Sequence, residues 1–351
     1  MSMNMIPVGN AVLGRVLNAK GEPIDDKGKL DYAPHASLFY APDTLSAETS
    51  STSPRMLETG IKVIDLMAPA FYGSTIGLIA ETGLGRIVVA EEIMNTLITR
   101  HQAIPVIAGI SETAYDASNL REMVREIEAE DSVVMLFEQT IDVLSAHQRL
   151  LYVAMTIAAH FNDAGHEVLL VIDNHLMTHE NMADLRRFAT TKSITSIVFV
   201  SMNDSSQPMN VNTLNALGVQ LDFSQARAKQ SLWPAIDPVT SRSRLLESDA
   251  ISTEHRQVAQ QVRDILRRYY DLRKNMGNNT LSEEDQRLLV RDERIDLFFT
   301  QPFVVAEAYT DLPGTYLKLE ETIKSFRDLL DGRYDATPMQ AFNFVGSINQ
   351  A

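Results

Sequence analysis

Apolar and polar positions fall in alternating blocks through the middle of this chain, and the blocks predict strands and helices by turns. Thr75 to Ile79 is a short buried strand, followed by a tight glycine loop and a helix. Ile104 to Ile110 is a β-rich apolar run, Ser118 to Glu130 a helix with Ser118 as N-cap, and Val133 to Phe137 another short strand. A long helical pattern covers Ser145 to Ala164. The fully apolar run Val168 to Ile172 then ends at Asp173, and Ile194 to Val200 adds one more strand. Apolar strands of this length, separated by helices, predict an α/β fold with a parallel sheet covered on both faces. Ligands of such sheets sit beyond the carboxyl ends of the strands. Arg86, Glu112 and Asp173 all follow strand ends, so the pattern lets them converge there.

The flanks read differently. Residues 11–55 open with a short strand running into a turn around Gly21-Glu22-Pro23, and Ser46 to Pro54 is small and polar, an exposed linker. After about Thr240 the helical period takes over and no strand pattern is visible. Val258, Val262, Ile265, Leu266, Tyr269 and Leu272 share one helix face, and Leu281 to Asp285 forms an acidic helix start. Three divisions follow: an entry segment and linker over 1–55, an α/β domain over 56–245, and a helical domain over 246–351.

Composition narrows the function. Hydrophobic residues make up 45% and charged residues 22% of the 351, enough for a large core. The net charge of −15 argues against general nucleic-acid binding, which needs clustered Lys and Arg. The absence of cysteine removes disulfides, thiol catalysis and Cys-based zinc sites. No apolar run approaches the roughly 18 residues of a bilayer span, and the N-terminus has no signal-peptide layout. The expectation is a cytoplasmic protein without direct membrane insertion, compatible with a place at the periphery of a membrane complex.

The glycine loop holds the candidate chemistry. Against the phosphate-loop pattern G-x-x-x-x-G-K-[ST], the chain offers Ala80-Glu81-Thr82-Gly83-Leu84-Gly85-Arg86-Ile87. Gly83 and Gly85 keep the freedom to turn backbone N–H groups inward. The opening glycine has become Ala80, the lysine Arg86 and the Mg²⁺-ligating hydroxyl Ile87, while Glu81 puts a carboxylate where phosphate oxygens approach. Alone, these eight residues also fit an ordinary strand-to-helix turn.

Several stretches, taken together, resemble the β subunit of the rotary F-type ATP synthase. They are Gly14 to Asp25, Glu58 to Pro69, Trp233-Pro-Ala-Ile-Asp-Pro238, Leu281 to Asp285, Thr300-Gln-Pro-Phe-Val-Val-Ala-Glu307, Leu319 to Lys324 and Gln340 to Phe342. They occur in the family's order over most of the chain. The resemblance implies a RecA-like P-loop NTPase core with a parallel sheet, followed by a small helical domain. It also implies an adenine nucleotide, ADP or ATP, and partnership with α-like or other subunits of a hexameric, ion-transporting assembly.

The departures matter as much. The family's N-terminal barrel has no counterpart, and the block after Asp173 is shortened. The arginine after the Walker B aspartate falls on Met177. In Gly109-Ile-Ser-Glu-Thr-Ala-Tyr115 the family's glutamate is kept as Glu112, but both arginines are gone, Thr113 standing for one of them.

By this resemblance Gly83, Leu84, Gly85, Arg86 and Ile87 are the phosphate-binding positions, and Trp233, Phe303 and Tyr309 surround adenine. Glu112 and Asp173 are the catalytic candidates. Each has a plain alternative: a loop carboxylate for Glu112, a helix cap for Asp173, a surface position for Arg86, and ordinary core packing for the aromatics. With Ile87 unable to ligate Mg²⁺, the magnesium role of Asp173 is in question. His175 and His179 stand four apart, but no third ligand follows at recognisable spacing, so a solvated turn is the better account and no metal site is expected.

Lost arginines cost phosphoryl transfer roughly 10³–10⁵ in rate, whereas stacking a base on an aromatic contributes about 1–3 kcal/mol. The expected function is therefore that of a pseudoenzyme subunit, binding nucleotide weakly with little or no hydrolysis. Two alternatives stand beside it. One is an active β-type ATPase completed by arginines from a partner; the other is a structural interaction protein without nucleotide. A nucleic-acid motor on the same fold, like the Rho terminator, is disfavoured by the charge.

Overall fold

The computed structural model describes residues 5–38, 54–81, 83–110, 122, 124–125, 128–138, 144–173, 176–177, 179–201, 214, 216–275 and 283–350. Glu112, Thr113, His175, the side chain of His179, most of the helix expected over 118–130, the linker residues 46–53 and Leu281-Ser282 lie outside them.

In chain order the strands are β1 (Met5–Pro7), β2 (Val16–Leu17), β3 (His35–Ser37), β4 (Met56–Leu57), β5 (Ala70–Phe71), β6 (Thr75–Ala80), β7 (Ile104–Ile110), β8 (Val134–Glu138), β9 (Val168–Ile172), β10 (Thr195–Ser201), β11 (Val219–Asp222) and β12 (Arg242–Ser243). The helices are α1 (Lys62–Met67), α2 (Arg86–His101), α3 (Leu144–Asp163), α4 (His179–Lys192), α5 (Gln225–Lys229), α6 (Thr253–Asn275), α7 (Glu283–Phe298), α8 (Glu307–Thr310) and α9 (Leu319–Leu330). They fall into two compact units, each drawn from separated stretches of sequence. The first takes 1–53, 72–81 and 86–218; the second takes 54–71, 82–85 and 219–351.

In the first unit six strands lie in the order β6-β10-β9-β7-β8-β2, every neighbouring pair parallel. Parallel neighbours require crossover connections, and helices supply them. The strands are apolar on both faces because both are covered. Val106, Ala108, Leu170, Ile172 and Val198 join Leu150, Leu151, Val153 and Phe161 of α3 in one core cluster. The alternate residues Ile107, Leu169, Val171 and Ile197 are buried on the other face. That is the α/β arrangement expected from the apolar runs. Beside it, β1 and β3 form a small antiparallel pair.

The second unit is mainly helical. Helix α6 packs on α7 and α9, and α1 packs on α6 and α9. Phe326 of α9 lies 5.1 Å from Phe298 and 4.4 Å from Phe299, ring centre to ring centre. One difference from the sequence pattern is β12, which pairs antiparallel with β11 beyond the point where strands were expected to end. Two residues are too few to leave an alternation.

Polar side chains hold this unit together from inside. Lys62, fully buried, donates from Nζ to the carbonyls of Thr300 at 3.0 Å and Val345 at 2.6 Å, with Nζ 4.0 Å from the centre of the Phe298 ring. Burial holds its ammonium pKa well below the ordinary lysine value. Asp65, one turn on, accepts from Thr59 N–H at 2.9 Å, Thr59 Oγ1–H at 2.7 Å and Gly60 N–H at 2.8 Å. Desolvation nonetheless pushes its carboxyl up to about 7. Gln301 donates to the carbonyls of Gly60 and Thr315 and accepts from Lys62 N–H, so one amide ties three segments. Among the described residues, no helix is long and apolar enough to cross a membrane.

Arg227 of α5 and Asp296 of α7 form a buried ion pair, each 3% exposed, with Tyr270 of α6 accepting from Arg227 at 2.9 Å and donating to Asp296 at 2.8 Å. Breaking a buried pair on one side strands the other charge, a cost of about 3–5 kcal/mol. Arg227→Met is therefore expected to lower stability by about that amount in urea unfolding. Arg227→Met with Asp296→Leu should recover most of the loss. Equal losses in the two variants would mean that the pair is not the source of the stability.

Candidate functional site

The register of the first unit fixes where chemistry can gather. Ser201 pairs with Ala80, Val198 with Ile172 and Ile172 with Ala108, so β6, β10, β9 and β7 all point their carboxyl ends to one edge. Asp173 leaves β9 at this edge, its N–H donating to Ala108 carbonyl at 3.0 Å, and is 2% exposed. A Cβ built on Gly109 would lie 3.6 Å from the Asp173 carboxylate, an ordinary contact, so the carboxylate packs beside β7. The chain beyond Ile110, which carries Glu112, leaves from the same edge.

Glu81 follows β6, half-buried, and Arg86 opens α2. The Arg86 guanidinium carbon lies 5.7 Å from the centre of the Phe199 ring of β10, where a cation meets an aromatic face. The sequence pattern missed Phe199. Its only signal was an aromatic among aliphatic residues in a buried strand, and its place opposite Leu78 depends on the β6–β10 register. Ile87 is half-buried one residue into α2 and offers no oxygen. Met177 is 5% exposed and packs in the α3-side core cluster, a site that would bury an arginine.

The glycine loop itself, residues 82–85, belongs to the second unit. Gly83 has φ 86° and Gly85 φ 76°, both in the left-handed region that other residues resist. A Cβ on Gly83 would meet nothing within 4 Å among the described residues, so space is open above the exposed turn. Leu84 between them is buried. A Cβ on Gly85 would stand 3.2 Å from Cζ3 of Trp233, so the glycine lets the indole come down onto the loop. Trp233 is half-buried, and its carbonyl accepts the Gln301 N–H at 3.0 Å, which ties it to the segment carrying Phe303.

The aromatics do not share one environment. Phe303 is 6% exposed. A Cβ on Gly314 would fall 2.6 Å from the Phe303 carbonyl carbon and 2.3 Å from the Val304 nitrogen, so this backbone is pressed tightly from the other side. Tyr309, on α8, is 73% exposed. Within the second unit the structure thus brings Trp233 to Gly85, buries Phe303 two residues beyond Gln301, and leaves Tyr309 on the surface. No group of three His, Asp or Glu among the described residues is placed to hold a metal ion.

The loop fits the phosphate end of a nucleotide in part. Backbone N–H groups around two left-handed glycines can cradle an anion, and the open space at Gly83 admits one. Ile87 supplies no oxygen at the position the phosphate-loop pattern gives to a magnesium ligand.

Residues 60–188, just over a third of the chain, match the family model described as the ATP synthase alpha/beta family, nucleotide-binding domain. The matched stretch runs from α1 through the glycine loop and four of the parallel strands to α4. The chain therefore resembles nucleotide-binding ATPase subunits over the region that carries the loop, and the match is to the alpha/beta family as a whole.

Substituting the loop tests its packing. Gly85→Val places a β-branched side chain at positive φ against the indole, and is expected to cost about 1–3 kcal/mol. It should also shift the emission of Trp233, the single tryptophan of the chain. An unchanged spectrum would show that the indole does not rest on Gly85.

Proposed function

We propose that the chain is a divergent β-type subunit that binds an adenine nucleotide weakly and hydrolyses it little or not at all, within an assembly that includes α-like or other ATPase subunits. The carrying observation is a contrast at one loop. The backbone half of a phosphate site is retained, in Gly83 and Gly85 at positive φ with Trp233 resting on Gly85. The charged half is replaced by Ile87, by the core residue Met177 and by the carboxylate of Glu81.

The adenine nucleotide would supply a purine face to Trp233 and phosphates to the loop N–H groups. Gly83, Leu84, Gly85, Arg86 and Ile87 are the proposed phosphate-side residues; Trp233, Phe303 and Tyr309 are the proposed adenine-side residues. Asp173, at the carboxyl edge of the sheet, is the residue proposed to orient water. With neither Ile87 nor Met177 able to neutralise phosphate charge, it lacks the partners that phosphoryl transfer needs. Glu112 is the corresponding candidate for positioning water, and Arg86 the remaining cation for phosphate. Loss of such charge corresponds to about 4–7 kcal/mol of barrier.

One observation favours a second reading, an interaction protein without nucleotide. Phe303 is consumed by packing and only Tyr309 is freely exposed, so the base has fewer open aromatic faces than the motif suggests.

Turnover separates an active enzyme from both. The isolated chain with Mg²⁺ and ATP is expected to release phosphate at background, and a rate on the order of 1 per second, abolished by Glu112→Gln, would overturn the proposal. Restoring charge and ligand in Arg86→Lys/Ile87→Thr/Glu81→Gly should tighten Mg-nucleotide binding in equilibrium dialysis at least tenfold. An unchanged affinity would mean that the loop does not face phosphate.

A further inference from the structure

A cavity of about 680 Å³ opens in the first unit, between β1, the turn after β2, the loop before β3, and α3. That volume lies within the range of small-ligand sites, roughly 300–1,000 Å³. Its lining reverses the character of the chain: Lys20, Lys29 and Arg149 face it against Glu22 and Asp31, with His35 beside them, in a protein of net charge −15.

The fold uses the neighbouring cations and leaves two of these unused. Arg15 forks onto Asp25 at 2.7 and 2.9 Å, holding that carboxyl well below the usual range, and Lys27 donates to the Gly14 carbonyl at 2.9 Å. Lys20 and Lys29, by contrast, make no side-chain hydrogen bond or ion pair with any described residue.

The wall that presents them is built rather than loose. Asn18 Oδ1 accepts from the N–H groups of Lys20 and Glu22 at 2.8 and 3.0 Å, which closes the turn. Gly21 at φ 78° packs so tightly on Pro7 that a Cβ would lie 2.8 Å from the proline ring. Arg149 is pinned to the same turn by Nε donating to the Ala19 carbonyl at 2.8 Å. His35 Nδ1 stands 2.8 Å from the Ala33 carbonyl; with Nδ1–H as the donor, a neutral ring leaves Nε2 as an acceptor.

We propose that this cavity binds a phosphorylated sugar or polyol. The lysines, with the arginine behind them, suit a phosphate dianion. Glu22 and Asp31 accept only, so they suit the hydroxyl donors of the same ligand and would repel a plain polyanion. The apolar Met5, Pro7 and Leu30 cover its carbon skeleton.

The probe is ribose 5-phosphate, titrated calorimetrically into the full chain at low salt, with inorganic phosphate and ribose alone as comparisons. The expected result is sub-millimolar to millimolar binding, tighter than that of either comparison and weakened at least fivefold in Lys20→Gln/Lys29→Gln. These lysines are exposed, so the variant should keep its circular dichroism and its unfolding midpoint. Asp31→Asn should weaken ribose 5-phosphate but not inorganic phosphate. Absence of binding at 10 mM, or a loss smaller than fivefold in the double variant, would overturn the proposal. The response of Trp233 emission to ADP should be the same in the lysine variant as in the parent chain, which keeps this site separate from the glycine loop.

Discussion

Parallel pairing of β6 with β10, and of β10 with β9, is the constraint on which the carboxyl edge of the sheet depends. A parallel pair cannot close through a short hairpin, and among the described residues β6, β8 and β9 are each followed by a helix that carries the chain back. Every strand of the set therefore releases its chain at the same edge. Glu81 and Asp173 leave the sheet at one edge for that reason, although about ninety residues separate them. Adjacent strands are about 4.8 Å apart, so Gly77 and Ile172, both level with Val198 of β10, lie roughly 10 Å apart across the sheet. The fold supplies the stage for a nucleotide whatever the side chains at its edge have become.

The second unit rests on a different device. Its helices are polar over much of their surface, and buried polar groups join segments distant in sequence: Lys62 to Thr300 and Val345, Gln301 to Gly60 and Thr315, Arg227 to Asp296. Lys62 and Gln301 find partners for their buried polar groups, where an unmet polar atom would cost about 1–3 kcal/mol. These contacts fix the position of Trp233 through Gln301, so the loop-facing indole is held by the interior of the unit. Packing and a candidate binding contact are coupled at that residue.

Much of the first unit was legible in the sequence because its strands are short, apolar and bounded by helices. Thr75–Ala80, Ile104–Ile110 and Val168–Ile172 stand within a residue of the expected limits. The two-residue strand β12 and the four-residue β11 carry too little pattern to be seen. The site was legible only as a list of positions. That Gly85 admits the Trp233 indole follows from a contact between residues 148 positions apart, which no local spacing encodes. The cation–aromatic contact of Arg86 with Phe199 depends on strand register, and the burial of Phe303 on a close approach by Gly314. Lys62 read as one residue of a motif; its complete burial over an aromatic ring could not be inferred from a charged letter in an amphipathic segment.

The account comes down to whether a loop that has lost its charge still receives a nucleotide. The phosphate side offers backbone N–H groups and Arg86, and stacking on an indole adds about 1–3 kcal/mol. Together these support an affinity on the order of 10 μM to 1 mM, with ADP favoured over ATP because Glu81 repels the longer phosphate chain. Trp233, the only tryptophan, reports on it directly. Titrating ADP to several millimolar should quench its emission along a saturable curve, with ATP acting more weakly. Unchanged emission at every ADP concentration, together with no heat in calorimetry, would contradict the account and leave the chain without a nucleotide.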